Sequence, residues 1–183
     1  MCNRGRMSYK DFELHRSIIL PEVLVIKPSL SRDLRGNIYT TYNENTYQRF
    51  LPPGLKFIHD KFATSRYNVL RGLHGDSKTW KLVSCVWGEL YEVVVDMRPE
   101  SATYKKWDAF DLRAEDYSQV LIPPGFINGY YVMSEHAVFH YKLAYTGEYI
   151  DANEQITVAW NSPELGISWP CGEPILQDRD IVK

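Results

Sequence analysis

The sequence predicts an all-β protein, an antiparallel β-sandwich or jelly roll with few short helices. Three observations carry that reading. β-Branched and aromatic runs recur along the chain, Gly, Pro, Asn and Asp punctuate them, and helical periodicity is scarce. Many short strands in one domain bury their apolar faces best by packing sheet on sheet. At 183 residues, with no repeat, linker or low-complexity stretch, the chain reads as one domain over 1–183.

The strand signals follow in order. Val23 to Ile26, Asn37 to Tyr42, Leu55 to His59 and Trp80 to Val86 are β-branched or aromatic runs, and Val69 to His74 is an aliphatic one. Glu89 to Met97, Tyr104 to Leu112, Gln119 to Pro123, Gly129 to Met133, Ala137 to Ala144 and Gln155 to Trp160 continue the pattern. Turns at Trp87-Gly88, Pro123-Pro124-Gly125 and Thr146-Gly147 separate several of them. Asn43 to Phe50 predicts a short helix, and Arg113 to Asp116 a single helical turn.

Composition narrows the function. A formal charge of -2 without a long basic run argues against a nucleic-acid surface. A local cationic pocket for an acidic sugar or nucleotide remains compatible with that balance. Aromatic content of 14%, with 13 Tyr and 5 Trp, suits both strands and sugar-stacking surfaces. The three cysteines, Cys2, Cys85 and Cys171, have neither an even count nor CxxC spacing, which predicts a reduced, cytoplasmic protein. The basic start has no apolar run behind it and does not read as a signal peptide; Met7 is a second candidate start. No apolar run approaches the ~20 residues of a membrane-spanning helix.

The most informative stretch is Val69-Leu70-Arg71-Gly72-Leu73-His74, followed by Lys81-Leu82-Val83. Arg71 and Lys81 are costly to bury in an aliphatic context unless an anion pairs with them. Nearby positive charge disfavours protonation of His74, so a neutral imidazole beside an anionic substrate is a candidate proton abstractor.

Around this stretch, further pieces stand in a characteristic order: Asp33-Leu34-Arg35-Gly36, Val94-Val95-Asp96-Met97-Arg98, Ile122-Pro123-Pro124-Gly125-Phe126, Tyr141-Lys142, Glu148-Tyr149 with Glu154, Ile167-Ser168-Trp169-Pro170 and Asp178-Arg179-Asp180. Together they make the chain, from about residue 20 onward, resemble the dTDP-4-dehydrorhamnose 3,5-epimerase family. The resemblance implies a cupin-like jelly roll acting on a nucleotide-diphosphate-linked 4-keto sugar in polysaccharide sugar biosynthesis. A ketone at C4 acidifies the hydrogens on C3 and C5. Inversion needs a base on one face, an acid on the other and a cation for the C4 oxygen, with no metal and no redox cofactor.

The resemblance assigns His74 as base, Asp180 as its orienter, Tyr149 as acid and Lys81 as the cation at the ketone. It implies that Arg71 grips a phosphate, where its rigid fork suits the oxygens. Arg35, His59, Lys61 and Asn128 are the further candidates for substrate contacts. Tyr145 lies close enough to Tyr149 to compete for the acid role. The family further implies a homodimer, with Val23 to Ile26 as a strand exchanged between subunits.

Departures from the family pattern lie mostly at the ligand end. The loop Gly75 to Trp80 is about three residues shorter than usual, and Gly75 is expected to leave open space for a longer sugar tail. His59-Asp60-Lys61 stands where Gln-Asp-Asn is usual, and Thr40 where a nucleotide-binding Glu is usual. These changes make guanosine the first candidate nucleotide, with a 4-keto heptose as an alternative to a 6-deoxyhexose. Asn128 replaces a second pocket histidine and cannot exchange protons near neutrality. Either inversion is confined to one carbon, C3, or that histidine is not a proton carrier and both carbons react.

Three other readings compete. A metal-dependent cupin needs a His-x-His type ligand set, which His74-Gly75-Asp76 does not make. A non-catalytic sugar-nucleotide-binding jelly roll is compatible with the architecture. A 4-keto to 3-keto sugar isomerase shares the enolate chemistry.

Overall fold

A computed structural model describes residues 12–181, so Met1, Cys2 and Met7 lie outside the described residues. The strands are β1 (Glu13–Arg16), β2 (Leu24–Lys27), β3 (Leu30–Asp33), β4 (Gly36–Tyr39), β5 (Phe57–Arg66), β6 (Leu70–Gly75) and β7 (Trp80–Trp87). They continue as β8 (Glu89–Asp96), β9 (Trp107–Arg113), β10 (Gln119–Ile122), β11 (Phe126–Val132), β12 (His136–Ala144) and β13 (Ile156–Thr157). A six-stranded sheet, β1-β2-β10-β7-β12-β5, faces a five-stranded sheet, β13-β6-β11-β8-β9, and all their pairings are antiparallel. β3 and β4 form a separate hairpin. The all-β sandwich expectation holds.

The interior explains why β7, β8, β10 and β11 read as nearly continuous apolar runs. Val83, Val94, Val120, Ile122, Phe126 and Phe139 fill the space between the sheets. Leu24, Ile26, Leu82 and Leu121, on the outer side of the six-stranded sheet, pack under Tyr47 and Phe50. Leu73, Val93, Val95 and Ile127 lie on the outer side of the other sheet, under Leu165 and Trp169. Each fully buried aliphatic side chain contributes about 1.5–3 kcal/mol. The covering segment is the helix α1 (Glu44–Tyr47) with a 3-10 turn, Gln48–Phe50, matching the expected helix at Asn43 to Phe50. Asn43 caps it by accepting from Thr46 N.

Several boundaries differ from the sequence reading. β5 runs to Arg66, because its inward positions, Phe57, His59, Lys61, Ala63 and Ser65, are too polar to announce a strand. The short β1 and β3 lack a strong apolar pattern and were not expected. Arg113 to Asp116 makes a turn rather than helix, and Gln155 to Trp160 contributes only the two-residue β13. β2 has β1 on one side and β10 on the other, all from one chain. Within one chain, therefore, both edges of β2, the strand expected to be exchanged between subunits, are paired. The expectation for Gly75 is corrected: a Cβ there would lie 2.3 Å from Phe126 O, so it allows close strand approach rather than leaving open space. Among the described residues, no helix is long and apolar enough to cross a membrane.

Candidate active site

A cleft of about 280 Å³ opens between the sheets, and every element around it sends in a polar side chain at an inward position. Lys61 comes from β5, Arg71 and His74 from β6, Lys81 from β7, Asn128 from β11, Tyr149 from the loop after β12, and Arg179 from the C-terminal tail. On β7 the inward alternation is Lys81, Val83, Cys85, so the lysine sits at the mouth of an apolar floor.

Arg71 and His74 are three residues apart and would face opposite sides of a regular strand. A register shift between β6 and β11, where the three steps from Arg71 to His74 oppose the two from Tyr130 to Asn128, removes that conflict. Its cause is the approach of two glycines. A Cβ on Gly72, whose φ is +132°, would fall 2.4 Å from Gly129 Cα. Arg71 and His74 therefore both line the cleft, while Leu73 between them packs outward under Leu165.

His74 Nε2 lies 2.7 Å from Asp180 Oδ1, with Asp180 fully buried. Arg179 Nε approaches the same imidazole nitrogen at 3.2 Å. The tail reaches this point because Leu70 N donates to Ile175 O and Ile175 N to Asn68 O, pinning it beside the start of β6. The 3-10 turn Asp178–Asp180 then brings Asp180 under the imidazole.

Lys81 Nζ donates to His74 O at 2.9 Å and to Asn128 Oδ1 at 2.7 Å. Both acceptors are neutral, so the ammonium is tethered without being neutralised, and one of its three N–H groups is left over. Burial lowers its pKa to about 8, against the opposing pull of Asp76 and Glu92. Asn128 Nδ2 donates to Oε1 of Glu92 at 2.7 Å, and burial pushes that carboxyl up to about 8. Asn128 is thus engaged at both ends of its amide.

Tyr149 lines the cleft and its hydroxyl accepts from Lys61 Nζ at 3.2 Å. Tyr145 instead meets His59 Nδ1 at 3.3 Å and does not line the cleft. His59 stands behind the acid candidate, its ring 5.0 Å from that of Tyr149. Arg71 is exposed at the mouth, its Nε held by Ser65 Oγ. Arg35 lies elsewhere, on the β3–β4 hairpin, paired with Asp33 and 84% exposed; within one chain the structure does not bring it to the cleft.

Sequence reasoning missed Glu92 and Arg179. The signal for Glu92 was an isolated acid in the apolar run Leu90 to Val95; Arg179 was visible only as part of the Asp178-Arg179-Asp180 piece. Glu154, used above as a spacing landmark, closes a capping box with Asp151 and so shapes the turn behind Tyr149. Among the described residues, no group of three or more His, Cys, Asp or Glu side chains is placed to hold a metal ion.

The fold and this cleft define a cupin-like β-sandwich isomerase with a histidine–carboxylate pair facing a tethered lysine. A family profile described as dTDP-4-dehydrorhamnose 3,5-epimerase matches residues 17–183. The dTDP-4-dehydrorhamnose 3,5-epimerase of Salmonella typhimurium is 36% identical over 165 residues, covering 88% of each chain. The dTDP-6-deoxy-D-glucose-3,5-epimerase of Legionella pneumophila, solved with dTDP-4-keto-L-rhamnose, superposes with a TM-score of 0.85 at 33% identity, covering 93% of this chain and 90% of that one. A 3'-monoepimerase of Streptomyces bikiniensis, solved with dTDP-quinovose, gives 0.80 at 27% identity, covering 91% and 84%. The chain belongs to the dTDP-4-dehydrorhamnose 3,5-epimerase family.

Proposed function

We propose that the cleft inverts C3 and C5 of a dTDP-linked 4-keto-6-deoxyhexose through an enolate. The observation that carries this reading is the convergence of His74, Lys81 and Tyr149 on one cleft, with Asp180 behind the base. His74, its Nε2 held beside Asp180 and Arg179, takes the hydrogen α to the ketone, and the Asp180 carboxylate stabilises the imidazolium that forms. The electron pair moves onto the C4 oxygen, where the spare N–H of Lys81 meets the developing charge. Tyr149 then protonates the carbon from the other face, and both residues exchange protons with solvent before the next turnover. One proton leaves and one returns, so the step is balanced without an electron acceptor. Asn128 is engaged by Lys81 and Glu92 and carries no acid or base that exchanges protons near neutrality, so the same base and acid serve each carbon.

Arg71 at the mouth is assigned to a phosphate, with His59 beside the nucleotide end. The relatives described above are dTDP-sugar enzymes, and this replaces guanosine by thymidine as the preferred nucleotide. The exposed apolar side chains Ile58, Phe62 and Trp87 support a homodimer, which sedimentation tests. Cys85 and Cys171 are both unpaired, in keeping with a cytoplasmic enzyme.

The test is proton NMR of dTDP-4-keto-6-deoxyglucose with the protein in D2O. Deuterium at C3 and C5 with inverted configuration is expected. A carbonyl moved to C3 identifies the 4-keto to 3-keto isomerase, and binding with no exchange identifies a non-catalytic protein. Dissociation constants for dTDP and GDP decide the nucleotide; tighter GDP binding overturns the thymidine assignment.

A further inference from the structure

Lys61 stands at an inward position of the edge strand β5, and its ammonium meets Tyr149 twice. Nζ lies 3.2 Å from the phenolic oxygen and 4.3 Å from the ring centroid. Tyr149 itself belongs to no strand or helix. Its loop is held by Lys78 Nζ donating to Glu148 O, and its ring by the edge-on imidazole of His59.

The kind of partner on the phenolic oxygen matters for the chemistry. A phenol can accept and donate, whereas an ammonium can only donate. A carboxylate or carbonyl at this place would capture the hydroxyl hydrogen and turn it out of the cleft. A lysine does the opposite, because it takes up a lone pair and leaves the hydrogen to find another acceptor.

We propose that Lys61 is a positioning residue for proton delivery: by occupying the acceptor side of the Tyr149 oxygen, it commits the phenolic hydrogen to the cleft. This rests on the epimerase reading above, and departs from the direct substrate contact that the sequence suggests for Lys61. In the step concerned, the Tyr149 O–H bond breaks and a C–H bond forms with the electron pair of the enolate. The phenolate left behind faces the Lys61 ammonium, and opposite charges at that separation favour each other. The phenolate recovers its proton from solvent.

The experiment measures two rates in one D2O reaction on dTDP-4-keto-6-deoxyglucose. One is deuterium entry with retained configuration, which needs only the base; the other is inversion, which also needs the acid. For Lys61→Met, exchange is expected to stay within about threefold of the original protein while inversion falls about tenfold or more. Lys61→Arg, which keeps a donor-only cation, is expected to restore inversion to within about threefold. An equal fall of both rates with a raised KM overturns the inference in favour of a substrate-binding lysine. Unchanged inversion in Lys61→Met, or failure of Lys61→Arg to restore it, overturns the inference as well. If the unaltered protein neither exchanges nor inverts, the epimerase reading falls and takes this inference with it.

Discussion

Replacing Asp180 by asparagine removes one charge from behind His74 and leaves the shape of the side chain unchanged. The pair matters most when His74 has taken the substrate proton and become an imidazolium. At the observed 2.7 Å, two unit charges in an effective dielectric of about 20 attract by about 6 kcal/mol. Two features reduce that figure: the His74 side chain is 15% exposed, and Arg179 Nε, 3.9 Å from the same carboxylate oxygen, offsets part of its charge. Halving it leaves about 3 kcal/mol, or about a hundredfold in rate. Stability should move the other way. Neither Asp180 oxygen has a well-aligned hydrogen bond among the described residues, so a neutral amide relieves a buried charge. The expected outcome is a folded Asp180→Asn protein with unchanged or raised Tm and α-carbon deuterium exchange about a hundredfold slower. Exchange at the original rate refutes the reasoning, and so does a fall in Tm large enough to account for the lost rate.

Further outcomes follow from the same geometry. Tyr149→Phe should let deuterium enter with retained configuration while inversion falls by about 10² or more; full inversion in that variant moves the acid role to Tyr145. Glu92→Gln probes the buried carboxyl, whose folded pKa of about 8 lies above its ordinary 4.5. Between those values the folded state holds a proton that the unfolded chain releases, so the native protein loses stability as pH rises through that window. The advantage of Glu92→Gln should therefore widen between pH 5 and 8 by up to about 1.4 kcal/mol per pH unit, read from urea unfolding at each pH. A flat difference refutes burial as the cause. Lys81, lowered from 10.5 to about 8, acts in the opposite sense and only above pH 8. Exhaustive chelation should leave turnover unchanged, because Lys81 supplies the positive charge at the ketone; reversible loss rescued by one divalent ion contradicts that.

Local pattern carried much of this protein. Trp80 to Val86, Glu89 to Met97 and Ala137 to Ala144 read as strands because β-branched and aromatic residues crowd between turn formers, and β7, β8 and β12 occupy those stretches. His74, Lys81 and Asp180 were legible because they stand inside an ordered set of motifs. β5 was half hidden, since its inward face carries His59, Lys61 and Ser65 rather than aliphatic side chains. Only the tertiary structure decided what these residues touch. Arg71 and His74 share a face through a register shift that depends on Gly129, far along the chain from Gly72. Asp180 reaches His74 because Ile175 pairs beside β6, a contact no local pattern encodes. Arg35, credible as a ligand residue in its motif, stands instead on a separate hairpin. Lys61 meets Tyr149 through the pairing of β5 with β12, and Asn128 joins Lys81 to Glu92 only when strands from both sheets come together. The division has one physical cause. Strand propensity and the two-residue alternation of side chains are properties of neighbours in sequence, whereas the partner of a charge is set by register and sheet packing between distant segments.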